Sequence, residues 1–269
     1  MFKTTVLLCA LFLSACSTMQ IPNSGFDDSV LGSGGKAQLG AAGGNTQTVG
    51  FNDFETTENK SSVTTSNIGS LILSGAFRLN QNFEISLSSY SAIPFPSIAG
   101  VKYQFLGSGV GSEKFTAAIS LKTGYSTFSN RGGYSPIGAC SGGNTNCAVD
   151  DPNGRYSGGN LWAYIFGVPV GIQLNETLRI VVSPRVTYFD GRYALYKKAQ
   201  LTDTTFAEHK FGISGLRKSL AVSGFYLFNH SLAGHLTIQA HDYTWNAFAR
   251  SQHLSAYLGL SYVIGSAVN

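Results

Sequence analysis

The sequence predicts an all-β fold, an antiparallel up-and-down transmembrane β-barrel of about ten strands, with eight or twelve as the neighbouring solutions. Three observations predict it. Apolar residues recur at every second position through most of the chain, as they do on strands with two unlike faces. The connections between these segments alternate between short and long, as in barrels with tight turns at one membrane face and longer loops at the other. Charged residues make up only 12% of the chain, while glycine numbers 32, phenylalanine 18 and tyrosine 13; soluble domains carry about 25% charged residues. Alternation by itself also suits a soluble β-sandwich. The opposite face decides for the barrel, because one side of each strand is large and continuously apolar while the other is small, polar or charged.

The chain opens on Lys3 and an apolar run over 6–13. That run is too short to cross a bilayer as a helix, and the layout is that of a signal peptide. Leu13-Ser14-Ala15-Cys16 follows directly and resembles the bacterial lipobox. The resemblance implies that 1–15 are removed by the lipoprotein maturation machinery and that Cys16 carries lipid. Ser17, where no acid follows the cysteine, implies sorting to the outer membrane in proteobacteria. Residues 16–35 are polar and Gly/Ser-rich without a sustained period, so they read as a lipidated, flexible tether entering from the periplasm. The barrel domain is assigned to 36–269.

Nine strands follow from the alternation. Leu71, Leu73, Phe77 and Leu79 oppose Ser70, Ser74 and Arg78; Phe83, Ile85 and Leu87 oppose Glu84, Ser86 and Ser88; Val101, Tyr103 and Phe105 oppose Lys102 and Gln104. Phe115, Ala117, Ile119, Leu121 and Tyr125 oppose Thr116, Ser120, Lys122 and Gly124. The clearest series, Trp162, Tyr164, Phe166, Val168, Val170 and Ile172, opposes Ala163, Gly167, Gly171 and Gln173. Leu178, Ile180, Val182, Val186 and Tyr188 stand against Arg179, Ser183, Arg185 and Thr187; Leu220, Val222, Tyr226 and Phe228 against Ser219, Ala221 and Ser223. Leu236 and Ile238 face away from His235, Thr237 and Gln239, and the last strand sets Leu254, Ala256, Leu258, Leu260, Tyr262 and Ile264 against Ser255, Tyr257, Gly259 and Ser261. Parity asks for a tenth strand within 36–56, placed around Ala37, Leu39 and Ala41.

Tight turns are assigned to Asn80-Gln81-Asn82, Asn175-Glu176 and Asn229-His230-Ser231, and long connections to 129–159, 190–214 and 241–253. Pro169 and Pro184 fall inside strands of one hairpin, where each removes a ladder donor, so a bulge or loosened ladder is expected there. Gly259, Tyr262 and Ile264 resemble the C-terminal signature of outer-membrane barrels, which implies recognition by the barrel insertion machinery. The signature usually closes on an aromatic near the chain end, whereas Gly265-Ser266-Ala267-Val268-Asn269 follow here.

With hydrocarbon on the apolar face, Arg78, Glu84, Lys102, Gln104, Lys122, Arg179, Arg185, His235 and Gln239 point into the lumen. Cations outnumber acids among them. One reading is a packed polar interior in which Glu84 pairs with the bases, as small barrels are usually filled; the other is a narrow, weakly anion-preferring pore for small solutes. Cys140 and Cys147 lie in a Gly/Asn-rich stretch, and a disulfide between them would pin a long loop. Cys-x6-Cys without a nearby histidine is poor zinc spacing, and 150–154 lack the ligand alternation of a calcium loop. No metal or cofactor site is assigned. Asp190, His209, His241, Asp242 and His253 fall near the outer rim and resemble omptin proteases in that placement alone, without their motif context; no residue is given a catalytic role. Tyr134, Tyr156, Tyr193, Tyr196, Phe206, Tyr243, Trp245 and Phe248 fall in the long connections as a recognition surface or as interfacial anchors. No basic tract marks a nucleic-acid partner. The functions left in view are a surface-presenting scaffold barrel, a small-solute channel and, behind them, an outer-membrane hydrolase, each with membrane lipid as its surroundings.

Overall fold

The computed structural model describes residues 18–20, 35–51, 63–80, 82–89, 97–107, 114–131, 155–197, 207–229, 231–246 and 250–266. Cys16, Cys140 and Cys147 lie outside them. Among the described residues there are twelve strands: β1 (Thr18–Gln20), β2 (Gly35–Phe51), β3 (Val63–Arg78), β4 (Phe83–Ser89), β5 (Ser97–Leu106), β6 (Phe115–Arg131), β7 (Arg155–Gly167), β8 (Val170–Gln173), β9 (Leu178–Lys197), β10 (Ala207–Leu227), β11 (Leu232–Trp245) and β12 (Ser251–Ser266). From β2 to β12 they form one antiparallel ring, each next to its neighbour in sequence, and β2 closes it by pairing with both β3 and β12. β7 and β8 are two lengths of one stave, so the barrel has ten staves. Among the described residues no helix is long and apolar enough to cross a membrane; any crossing falls to the strands.

The stave of β7 and β8 is interrupted at Val168 and Pro169. No residue is inserted, since Gly167 faces Arg185 and Val170 faces Val182 in an unbroken count. The ladder loosens and the proline carbonyls are put to use: the Ala118 N–H donates to Pro169 at 3.0 Å and the Val168 N–H to Pro184 at 3.1 Å. A true bulge lies elsewhere, between Gln104 and Leu106. There the Gln104 amide donates to the carbonyls of Leu106 and Gly107, and Gly107 takes φ 84°, open to glycine at little cost. Ala117, which faces Leu106 across the bulge and keeps the outward parity of Phe115 and Ile119, is nonetheless buried.

Three turns at one end share a single construction. Asn80, Asn175 and Asn229 each accept, through Oδ1, the N–H groups two and three residues on, at 2.8–2.9 Å. This Asx geometry is what asparagine offers a tight turn. The opposite end corrects two of the assigned long loops. β9 runs to Lys197 and β10 starts at Ala207; β11 runs to Trp245 and β12 starts at Ser251. The ladders therefore continue well past the apolar signal. Asp190 and Asp242 stand on outward positions where Tyr188 and Ile238 stood below, because the strands have left the apolar belt and both faces are free to be polar. The lengths assigned to the connections also overlap, since 107–114 at the turn end outnumbers 246–250 at the loop end.

The belt itself spans the outer face of every stave. Leu71, Leu87, Phe105, Leu121, Tyr164, Tyr188, Leu220, Ile238 and Leu258 are all exposed large apolar residues. On β12 it runs from Leu254 to Ile264; ten steps of about 3.4 Å tilted near 40° give about 26 Å, close to the roughly 25 Å apolar band of membrane barrels. Aromatic pairs edge it: Phe83 and Tyr103 at 4.8 Å toward the turns, Tyr125 with Trp162 at 4.6 Å and Tyr164 with Tyr188 at 6.4 Å toward the loops.

Candidate functional site

Among the described residues the buried polar and titratable groups converge on the inner wall, and its layout follows from strand register. Inward residues alternate with the belt, so cross-strand partners form rows around the wall. Arg78, Glu84, Lys102 and Ser120 make one row over β3 to β6. Arg185, Ser219, His241 and His253 make another over β9 to β12. Directly above the second lie Thr187, Arg217, Tyr243 and Ser251. Below it come Ser183, Ala221, Gln239 and Ser255, and lower still Arg179, Phe225, His235 and Gly259.

In the first row Lys102 Nζ sits 2.9 Å from Glu84 Oε1, and both side chains are at most 10% exposed. Arg78, at the turn end and only half-buried, donates from Nε to the Asn80 carbonyl at 3.1 Å. Lys122 is half-buried on the same half of the wall. Of the other residues assigned to the lumen, Gln104 is buried at the β5 bulge, and Arg179 lies over the Phe225 ring at 5.6 Å, with His235 against the same ring at 5.8 Å. Arg185 donates to Ser183 at 3.2 Å, and Gln239 is fully buried between Ala221 and Ser255. Among the described residues the buried inner wall carries Lys102, Arg179, Arg185 and Arg217 against a single buried acid, Glu84.

Toward the loop end the wall becomes a cation–aromatic stack. Arg217, 2% exposed, donates to Thr187 Oγ1 at 3.1 Å and to the Tyr243 hydroxyl at 3.3 Å. Its guanidinium lies 5.3 Å from the centre of the Phe189 ring and 5.7 Å from that of Tyr243. Trp245 stacks on Phe189 at 5.0 Å and is nearly parallel to Tyr243, at 4° and 5.9 Å. Gly215 makes room for it, since a Cβ there would run into the Trp245 ring. Such contacts favour arginine over lysine, because a planar guanidinium can stack and bond at once.

This stack corrects the sequence reading of the rim. Tyr243 and Trp245 were assigned to a loop and are buried inside the barrel. His241 and Asp242 are adjacent in sequence, so on a strand they point to opposite faces: His241 is buried in the lumen and Asp242 reaches outward to Arg250 at 2.7 Å. Asp190 also faces outward, so the structure does not join these acids to the histidines. Sequence reasoning missed Arg217 and Phe189 because the apolar alternation had faded there; extending the parity of β9 and β10 a few residues further finds both.

The Ser219 hydroxyl lies 3.1 Å from His241 Nδ1, a nucleophile–base distance. His241 is only 3% exposed, however, and the pair is walled in by Arg185 and His253 with no acid among its row partners. The arrangement packs and polarises but lacks the third group that orients a catalytic base. Among the described residues no three His, Cys, Asp or Glu side chains approach closely enough to hold a metal ion.

Part of the inner wall is covered down to single methyl groups, whereas Ser74 and Ala76 on β3, Ser86 and Ser88 on β4 and Gly100 on β5 stay partly exposed. Ala118, Ala163 and Ala221 on three different staves are 0% exposed, as are Ser120, Thr237 and Ser255. Short side chains on a ten-stave wall are sealed only if other groups cover them. Fold and inner wall together define a closed ten-stave β-barrel with a cation-rich inner wall and an apolar outer belt.

No protein-family model and no curated protein matches the chain. Among solved structures, it is similar to the outer membrane protease OmpT from Escherichia coli at 12% identity and a TM-score of 0.45, covering 86% of this chain and 94% of that one. It is also similar to Ail, the attachment invasion locus protein of Yersinia pestis, at 7% identity and a TM-score of 0.33, covering 85% and 98%. The toluene transporter TbuX of Ralstonia pickettii matches at 11% and 0.34, covering 86% and 90%. These proteins carry different activities, and the likeness decides among none of them.

Proposed function

We propose that the protein is a non-conducting scaffold barrel of the bacterial outer membrane that presents its loop end at the cell surface, with 132–154 pinned by a Cys140–Cys147 disulfide. Cys16 carries lipid in this reading, and the partners are membrane lipid, the barrel insertion machinery and the lipoprotein maturation machinery. The single observation that supports it is the cover over much of the inner wall: a continuous solute path needs accessible inner residues, and Ala118, Ala163 and Ala221 on three staves are inaccessible. The apolar belt supports the membrane setting. The test is reconstitution of the purified, full-length chain in planar bilayers under applied voltage. A scaffold gives a flat current at protein densities where a porin control gives steps. Discrete unitary steps, above all with anion preference from the inner arginines, would replace the scaffold with the channel reading.

A further inference from the structure

The outward face of the last three staves passes from hydrocarbon to charge within one step. Lys218 on β10, Asp242 on β11 and Gln252 on β12 stand side by side in register. They lie one outward position nearer the loop end than Leu220, Ala240 and Leu254, which form the upper edge of the belt. Lys218 is exposed and sits between the exposed Leu216 and Leu220 on its own strand, with Val186 opposite on β9. A lysine on the outer face of a membrane barrel is tolerated where its stem lies along apolar surface and carries the ammonium to the polar boundary. The row therefore sits at the depth of lipid headgroups on the loop side.

Asp242 organises the row. Arg250 holds it side-on, donating from Nε to Oδ1 at 2.8 Å and from Nη2 to Oδ2 at 2.7 Å. Both carboxylate oxygens are thereby engaged, and Lys218 makes no direct ion pair among the described residues. Two cations flank one acid and leave one positive charge over. The Arg250 side chain is 65% exposed, and its Nη1 lies outside the pair. A guanidinium held on one edge by a carboxylate presents its remaining N–H groups in fixed directions, which suits phosphate oxygens. A second copy of this face would bring like charges together, and a soluble anion gains nothing from hydrocarbon beside it. Just below the cations Ala240, small and exposed between Leu220 and Leu254, leaves a low point in the belt along which an acyl chain can lie. We propose that Lys218 and Arg250 bind the phosphate of an anionic lipid in the loop-side leaflet, with Asp242 positioning Arg250 and the lipid tail passing over Ala240. The proposal rests on the membrane setting of the preceding section.

The test is lipid binding by native mass spectrometry of the full-length barrel in detergent, titrated with phosphatidylglycerol or with phosphatidylcholine of the same chains. Every variant is scored on heat-modifiable, folded protein. The wild type is expected to prefer phosphatidylglycerol. Lys218→Gln should lower that preference about fivefold, and Arg250→Gln by more, because Asp242 then turns to Lys218. Lys218→Arg should retain the preference, and phosphatidylcholine binding should not change in any variant. Arg192→Gln removes an exposed outward cation on β9 that lies outside the row, and should behave as wild type. Equal affinity for the two lipids, or a loss in Arg192→Gln as large as in Lys218→Gln, overturns the proposal while leaving the membrane barrel standing. So does displacement of phosphatidylglycerol by an equal concentration of inorganic phosphate, which would make the row a site for the free anion. A chain that stays soluble and monomeric without detergent and binds neither lipid removes the membrane setting itself, and the proposal with it.

Discussion

Replacing Lys102 with methionine isolates what the buried ion pair contributes. The change keeps the length of the stem and deletes the charge 2.9 Å from Glu84, at a site where both side chains are at most 10% exposed. At that distance the attraction is about 6 kcal/mol with an effective dielectric constant near 20, and it is largely offset by the cost of taking both ions out of water. The single variant loses the attraction and keeps the cost for Glu84, so a loss of about 3–5 kcal/mol is expected. Arg78 stands opposite Glu84 on β3 and draws the value toward the lower limit, about 3 kcal/mol. The double variant Glu84→Gln with Lys102→Met leaves no buried charge behind and should cost less than the sum of the singles by about 2 kcal/mol. The assay is denaturant unfolding in micelles, followed by the fluorescence of Trp162 and Trp245, the two tryptophans of the chain. A loss below about 1 kcal/mol for Lys102→Met, or strict additivity in the double variant, refutes the reasoning, since a buried pair cannot behave as an exposed one.

Phe189→Ala removes the ring between Arg217 and Trp245 and should cost about 3–5 kcal/mol, with a red shift of Trp245 emission as water reaches the stack. Arg217→Lys preserves charge but loses planar contact with Phe189 and the paired bonds to Thr187 and Tyr243, for about 1–2 kcal/mol by the same unfolding assay. Asn45→Ala deletes the side-chain bridge from β2 to Leu254 and Ala256; about 1 kcal/mol is expected, together with faster amide exchange at Ala256 and unchanged exchange at Leu236 on the intact ladder of β11.

The barrel was legible because its outer face largely obeys one rule along each stave, apolar side chains on odd or even positions, and parity supplied β2 around Leu39. What escaped the sequence lies where that rule lapses. Above the belt both faces are polar, so Asp190 and Asp242 read as loop although the ladder continues beneath them. Three residues are too few to show a period, so β1 was invisible and its stretch read as plain tether. Inside the lumen, alternation names inward residues but not their depth of contact: Glu84 and Lys102 were on the page as inner residues, whereas the stack of Phe189, Arg217, Tyr243 and Trp245 needed the register of three strands. The break at Pro169 was foreseeable, but not that its carbonyl would take over bonding to Ala118.

The central claim is that hydrocarbon covers the outer face, and a depth series on one stave tests it most directly. Leu258, the most exposed large apolar side chain among the described residues at 68%, lies midway along the belt of β12, and Gln252 lies above it on the same face. In unfolding from lipid bilayers, Leu258→Arg should cost about 2–4 kcal/mol and Gln252→Arg about 0–1 kcal/mol. Equal, near-zero costs at both positions would mean that water bathes the whole outer face, and would contradict the account.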